Sequence, residues 1–179
     1  MDFSIRKAVG GDVWDIARVQ VESWRTTYAG IVPAAFLSAL SVEQRAERWR
    51  EVFAESEMTL YVAEGQIADG QVGIFGFASG GKLREPIGDY DAELFAIYLL
   101  RAHQGKGAGR RLFETLAQTL RAAGHAAMAV WVLRENPAAL FYQHMGGVEI
   151  AHKQIEIGGI LLEEVAYGVS LTAYRDVVN

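Results

Sequence analysis

The 179 residues are 51% hydrophobic and 22% charged, a globular composition long enough to bury a sizeable core without disulfide or metal staples. With 17 basic against 22 acidic residues the formal net charge is −5, which argues against a general nucleic-acid-binding footprint. Cysteine is absent, so disulfides, thiolate metal sites and cysteine nucleophiles are excluded, and the four histidines stand at no metal-ligand spacing.

In chain order, residues 3–8 predict a first strand, ended by Gly10-Gly11-Asp12, with Asp12 as the cap of a helix. Val13, Ile16, Ala17, Val21, Trp24 and Tyr28 recur at helical spacing until 29–33 break the pattern. A second helical region runs from about Phe36 to Phe53, with a capping-box signal at Ser41 and Gln44. Residues 58–64 and 71–79 predict strands, and 79–86 a short loop. Residues 93–100 are nearly all apolar, which suits a strand buried on both faces. Residues 107–123 predict an amphipathic helix with Leu112, Phe113, Leu116, Ala117 and Leu120 inward, stopped by Gly124. A strand at 126–133 and a helix opened by Asn136-Pro137 follow, with Asn136 as cap and Pro137 at the first position. Two last strands, 148–157 and 160–170, are joined by Gly158-Gly159.

The order β-α-α-β-β-β-α-β-α-β-β implies a mixed sheet in an α/β arrangement, one domain over 1–179, with some parallel pairing around its central crossovers. Residues 1–6 lack the apolar core of a secretory signal, and the longest apolar run, 94–100, is strand-sized. The expectation is a cytoplasmic protein without membrane contact.

The most specific segment is Gln104-Gly105-Lys106-Gly107-Ala108-Gly109-Arg110-Arg111, set between a strand and a helix. Glycines there bare the backbone N–H groups at a helix start, which together with the helix dipole attract an anion such as a pyrophosphate. A Walker loop fails, because Leu100 stands where its first glycine belongs and Gly107 where Ser or Thr should follow Lys106. A dinucleotide fingerprint starting at Gly105 fails at Arg110 and lacks its later acid.

Gln-x-x-Gly-x-Gly after a strand resembles the acyl-coenzyme A loop of the GNAT superfamily of N-acetyltransferases, carried here by Gln104, Gly107 and Gly109. The resemblance extends over nearly the whole chain. It includes Ile5-Arg6-Lys7-Ala8, the run from Trp24 to Pro33, Trp131-Val132-Leu133, and the stretch from Asn136-Pro137 through Tyr142 to Gly146-Gly147. It implies a twisted mixed sheet of about seven strands with helices on both faces, and acetyl-coenzyme A as cosubstrate with no metal.

It also implies that strands 93–100 and 126–133 splay, and that the pantetheine arm lies between them against backbone groups of Ile97 and Leu99. An N–H near Tyr98 or Leu99 would stabilise the oxyanion. Gly105, Lys106, Gly107, Ala108, Gly109 and Arg110, with Gln104, would hold the pyrophosphate, and Asn136 and Ala139 would contact the cofactor arm. Arg101 and Arg111 add local positive charge, while His103 is expected to be exposed. Tyr142 is the expected proton donor to the departing sulfur.

A primary amine has a pKa of about 10.4 and needs a base before it attacks. Glu93, eleven positions before Gln104, is the expected base, with Asp91 as the weaker candidate. Desolvation at a buried strand edge would raise the Glu93 pKa. Trp24 and Tyr28 share a helix face and either wall the acceptor pocket or pack in the core, and Trp131 is expected in the core. The implied reaction is direct attack of a small-molecule or peptide amine on the thioester. A non-catalytic acyl-coenzyme A binding domain, a different acyl donor, and an unusual nucleotide-binding domain are the alternatives. A homodimer formed through 165–169 is a further expectation.

Overall fold

The computed structural model describes residues 2–55, 58–67 and 70–174. The strands are β1 (Phe3–Lys7), β2 (Thr59–Gln66), β3 (Val72–Lys82), β4 (Ala92–Leu99), β5 (Ala127–Leu133), β6 (Val148–Ile157) and β7 (Ile160–Ser170). The helices are α1 (Val13–Thr27), α2 (Ala34–Ala39), α3 (Val42–Glu55), α4 (Ala108–Ala122) and α5 (Ala138–His144). They build a seven-stranded sheet in the order β1-β2-β3-β4-β5-β7-β6. Every neighbouring pair is antiparallel except β4 with β5.

The α4 stripe is the one that periodicity predicts: Leu112, Phe113, Leu116, Ala117 and Leu120 are all buried. It packs with Phe75, Met128 and Val165 on one face of the sheet. Each large apolar side chain buried this way contributes about 1.5–3 kcal/mol. On the other face, Ile16, Ala17 and Val19 of α1 and Ala46 and Trp49 of α3 pack against Val62 and Phe77. A third cluster joins Tyr28, Val32 and Leu37 to Leu133 and Leu162.

Several expectations need correction. The helical region from 36 to 53 is two helices, because Leu40 is extended (φ −62°, ψ 128°). The capping signal then starts α3: Ser41 Oγ accepts the Gln44 N–H at 3.2 Å. Ser79 to Lys82 belong to β3, not to a loop. Asp12 precedes α1 but makes no side-chain cap; its carboxylate instead accepts from Arg6 at 2.7 and 3.0 Å and from the Val9 N–H at 2.9 Å. Residues 165–169 cannot offer a sheet edge to a partner, since β7 is hydrogen-bonded to β5 on one side and β6 on the other.

The feature that positions the site is the separation of β4 from β5. They pair only at Ala92–Leu94 with Met128–Val130. The β3–β4 register shifts at Ser79/Gly80, which leaves Phe95 as an extra residue just past the last paired position. A bulge bends its strand, so β4 turns away while β5 continues against β7. The first three residues of β4 are buried and the last five are only half-buried. The uniform apolar run had suggested burial throughout.

Candidate active site

The gap between β4 and β5 is a cleft of about 670 Å³. Antiparallel ladders alternate exchanged and unexchanged pairs. Leu100 N–H donates to Phe75 C=O at 2.8 Å, so Tyr98 opposite Phe77 is the next exchanged pair. The amide groups of Ile97 and Leu99 therefore point to the opposite edge, into the gap. Of the two N–H groups named for the oxyanion, that of Leu99 faces the cleft and that of Tyr98 faces β3. The Leu99 carbonyl is held by Ser23 Oγ and by Gln104 Nε2, both at 3.1 Å.

At one end of the cleft lies the glycine loop. Gly105 and Gly107 have φ of +71° and +88°, the left-handed region that glycine adopts freely. Among the described residues, none of the amides of 105–110 meets an acceptor; the next one, Arg111 N–H, bonds Gly107 C=O at 3.1 Å. Six unengaged N–H groups at the start of the 15-residue α4 make an anion cradle. Gln104, Gly105, Gly107, Gly109, Arg101 and Arg110 line the cleft.

Other expected loop contacts lie elsewhere. Lys106 donates to Ala102 C=O at 2.7 Å, and Ala108 turns its side chain into the core. Arg111 covers the Phe3 ring at 4.8 Å, away from the loop. His103 is buried, not exposed: its ring stacks on Phe75 at 4.3 Å and its Nε2 meets Gln66 C=O at 3.0 Å.

Beyond the loop, the cleft reaches α5. Asn136 is buried; its Oδ1 accepts the Ala138 N–H at 2.9 Å and its Nδ2 donates to Tyr28 Oη at 3.1 Å. Asn136 thus caps α5 by side chain, whereas Pro137 is the residue before the first helical position. Ala138, Phe141 and Tyr142 line the cleft, and Ala139 points off it, one helical step away. Tyr142 is buried, and its hydroxyl has no hydrogen-bond partner among the described residues. Burial, with the nearby Tyr98, holds its pKa well above the ordinary phenol value, so it stays protonated through the neutral range.

A side pocket of about 170 Å³ shares Tyr28, Phe95, Tyr98, Trp131 and Val132 with the cleft. Trp24 and Tyr28 do wall it, with ring centroids 4.7 Å apart. Trp24 Nε1 donates to Tyr98 Oη at 2.9 Å. Trp131 is half-buried in this wall rather than in the core, under Lys153 Nζ at 4.2 Å. Glu93 also lines the pocket and is only 3% exposed. Both of its oxygens are already occupied by Arg84: Oε1 by the guanidinium, Oε2 by Nε at 3.1 Å and the backbone N–H at 3.2 Å. That fork leaves Glu93 poorly placed to receive a proton as the expected base.

Asp91 is not among the residues that line the cleft or its side pocket. Its carboxylate accepts the Ala126 and Ala127 N–H groups at 2.9–3.2 Å, clamping the start of β5 at the end remote from the splay. Burial pushes its pKa up, but those amide bonds pull it below the ordinary value. Sequence reasoning missed Ser23, Arg84, Lys153 and Glu164 as site residues. The alternation of β7 does put Glu164 on the face of Leu162, but no local signal ties it to α1 or to Glu93.

The geometry joins an anion cradle, a strand with bare amides and a side pocket in one cleft. Residues 71–155 match the family described as FR47-like protein. An uncharacterized N-acetyltransferase of Bacillus subtilis strain 168, YuaI, is 38% identical over 177 residues, 98% of each chain. Among solved structures, a GCN5-related N-acetyltransferase from Rhodopseudomonas palustris superposes with TM-score 0.71 at 19% identity, over 95% of this chain and 96% of that one. The PaiA N-acetyltransferase of Thermoplasma acidophilum, solved with coenzyme A, gives TM-score 0.64 at 20% identity, over 92% and 98%. The chain belongs to the GNAT superfamily of N-acetyltransferases, and it is an acyltransferase with the fold of that family. Among the described residues no three His, Asp or Glu side chains gather as a metal site, and no helix is long and apolar enough to cross a membrane.

Proposed function

We propose that the protein transfers the acetyl group of acetyl-coenzyme A to a primary amine by direct attack. The observation that carries this reading is the set of six unengaged amides at 105–110, opening onto the gap beside Leu99. They would receive the pyrophosphate, with Arg101 and Arg110 at the rim. The arm would then run along Ile97 and Leu99 and bring the thioester near Tyr142. The Leu99 N–H would stabilise the tetrahedral oxyanion. The Tyr142 hydroxyl would donate to the sulfur as it leaves. A thiol has a pKa of about 8.5, below that of this phenol, so the hydroxyl stabilises the thiolate by hydrogen bonding. The proton that ends on sulfur is then drawn from solvent.

The amine enters from the side pocket between Trp24, Tyr28 and Trp131. Thermal unfolding with coenzyme A, ATP and NAD tests the cofactor: only coenzyme A should raise the midpoint. Thiol release from acetyl-coenzyme A with a panel of amines tests turnover. Stabilisation by coenzyme A without turnover on any amine would leave a binding domain instead of an enzyme.

A further inference from the structure

The side pocket holds two carboxylates in different situations. Glu93 is buried and spoken for by Arg84. Glu164 is half-buried, lines the same pocket, and has no hydrogen bond or ion pair among the described residues. Its cross-strand neighbours are Leu133 on β5 and Lys153 on β6, so it stands on the face that carries Trp131 and packs against α1. Lys153 does not close on it; that ammonium sits over Trp131 and reaches Glu85 at 3.4 Å. The pocket thus presents one free carboxylate among the rings of Trp24, Tyr28, Phe95, Tyr98 and Trp131.

An anion surrounded by aromatic faces is a receptor for an organic ammonium on an apolar stem. The volume of about 170 Å³ is below the range of drug-sized sites, about 300–1,000 Å³, so it suits a small amine. We infer that Glu164 receives the ammonium of the acceptor and takes its proton, and that the acceptor is a primary amine borne on an apolar or aromatic stem. This rests on the acetyl-transfer reading and names the base and the substrate class of that same site.

Glu164 takes one of the three ammonium protons, and the freed lone pair forms the C–N bond to the acetyl carbon. The C–S bond breaks with its electron pair on sulfur, a second proton leaves nitrogen to solvent, and the thiolate is protonated from solvent. The products are an amide, a thiol and one net proton. Burial raises the Glu164 carboxyl pKa. Lys153 and Arg84 pull it down, while Glu93 and Glu85 push it up. Tyr98 faces it from β4, with its own phenol raised by burial. A raised carboxyl is a better base near neutrality than an ordinary one.

The test uses the whole chain with 2-phenylethylamine as the probe, saturated with coenzyme A for binding and with acetyl-coenzyme A for turnover. Binding is read by the fluorescence of Trp24 and Trp131, and turnover by thiol release. The wild type should bind and acetylate the probe, with kcat/KM falling on the acid side. E164Q should weaken binding at least 10-fold, lower kcat/KM at least 30-fold and move that acid limb up toward the amine's own pKa of about 10. Its coenzyme A-induced thermal shift should match the wild type, which separates loss of base from loss of fold. E164D should recover part of the rate. A wild type that neither binds nor acetylates the probe overturns the substrate class. An acid limb unmoved in E164Q but moved up in E93Q overturns Glu164 as the base. No thermal shift with coenzyme A in the wild type is a different failure, that of the acetyl-transfer reading itself.

Discussion

The glycine loop and the side pocket border the same cleft but are made in different ways. The loop is one continuous segment whose chemistry is its own backbone: 105–110 present amides because two residues have positive φ and a helix begins there. The pocket is assembled from α1, the segment after β3, and strands β4 to β7, and its chemistry is all side chain. Each part is therefore vulnerable in its own way. Backbone recognition fails when the local conformation fails; side-chain recognition fails one contact at a time.

The sharpest way to break this contrast is Gly105→Val with Gly107→Val. No atom lies within 4 Å of a Cβ added at either position, so the pair disturbs no packing. A β-branched residue in the left-handed region costs about 1–2 kcal/mol, and an open loop escapes that cost by turning its amides. Affinity for coenzyme A, measured by calorimetry, should fall about 100-fold, in line with about 2.7 kcal/mol, while the melting midpoint of the free protein barely moves. Unchanged affinity would show that the amides do not hold the cofactor.

Tyr142→Phe comes next. Its hydroxyl has no partner to lose among the described residues, so stability should hold, while kcat falls about 10- to 100-fold as the hydrogen bond to the departing thiolate is removed. Rapid-quench measurement of the chemical step checks this, and an unchanged rate would remove Tyr142 from the reaction.

Ser23→Ala should be milder. It removes one of two donors to the Leu99 carbonyl, worth about 1 kcal/mol, and should raise the KM for acetyl-coenzyme A about 5-fold. A KM equal to that of the wild type would show that Gln104 alone holds that carbonyl.

The smallest effect on the site, and the control for it, is Asp12→Asn, far from the cleft. The Asp12 carboxyl is held below its ordinary value by hydrogen bonds from Arg6 against a smaller cost of burial. Its contribution is therefore present above the unfolded value of about 3.9 and lost as the pH falls through the lower native value. Because Arg6 is partly exposed, the loss near neutrality should be about 1–2 kcal/mol by urea denaturation, narrowing in acid, with coenzyme A affinity unchanged.

Much of what is local was legible along the chain. The α4 stripe, the glycine loop and the last hairpin follow from apolar spacing, backbone freedom and turn residues, all written within a few positions of one another. The sequence also supplied Tyr142, Trp24 and Tyr28, which do line the cleft and its side pocket. That Glu93 is tied up by Arg84 and Glu164 is not was settled by the packing of the folded chain. It alone put His103 inside, placed β7 between two other strands and put Trp131 in a wall. The physical reason is that a pairing such as 84 with 93, or a pocket wall shared by 24 and 164, depends on sheet order and on a bulge at Phe95. No periodicity along the chain encodes those.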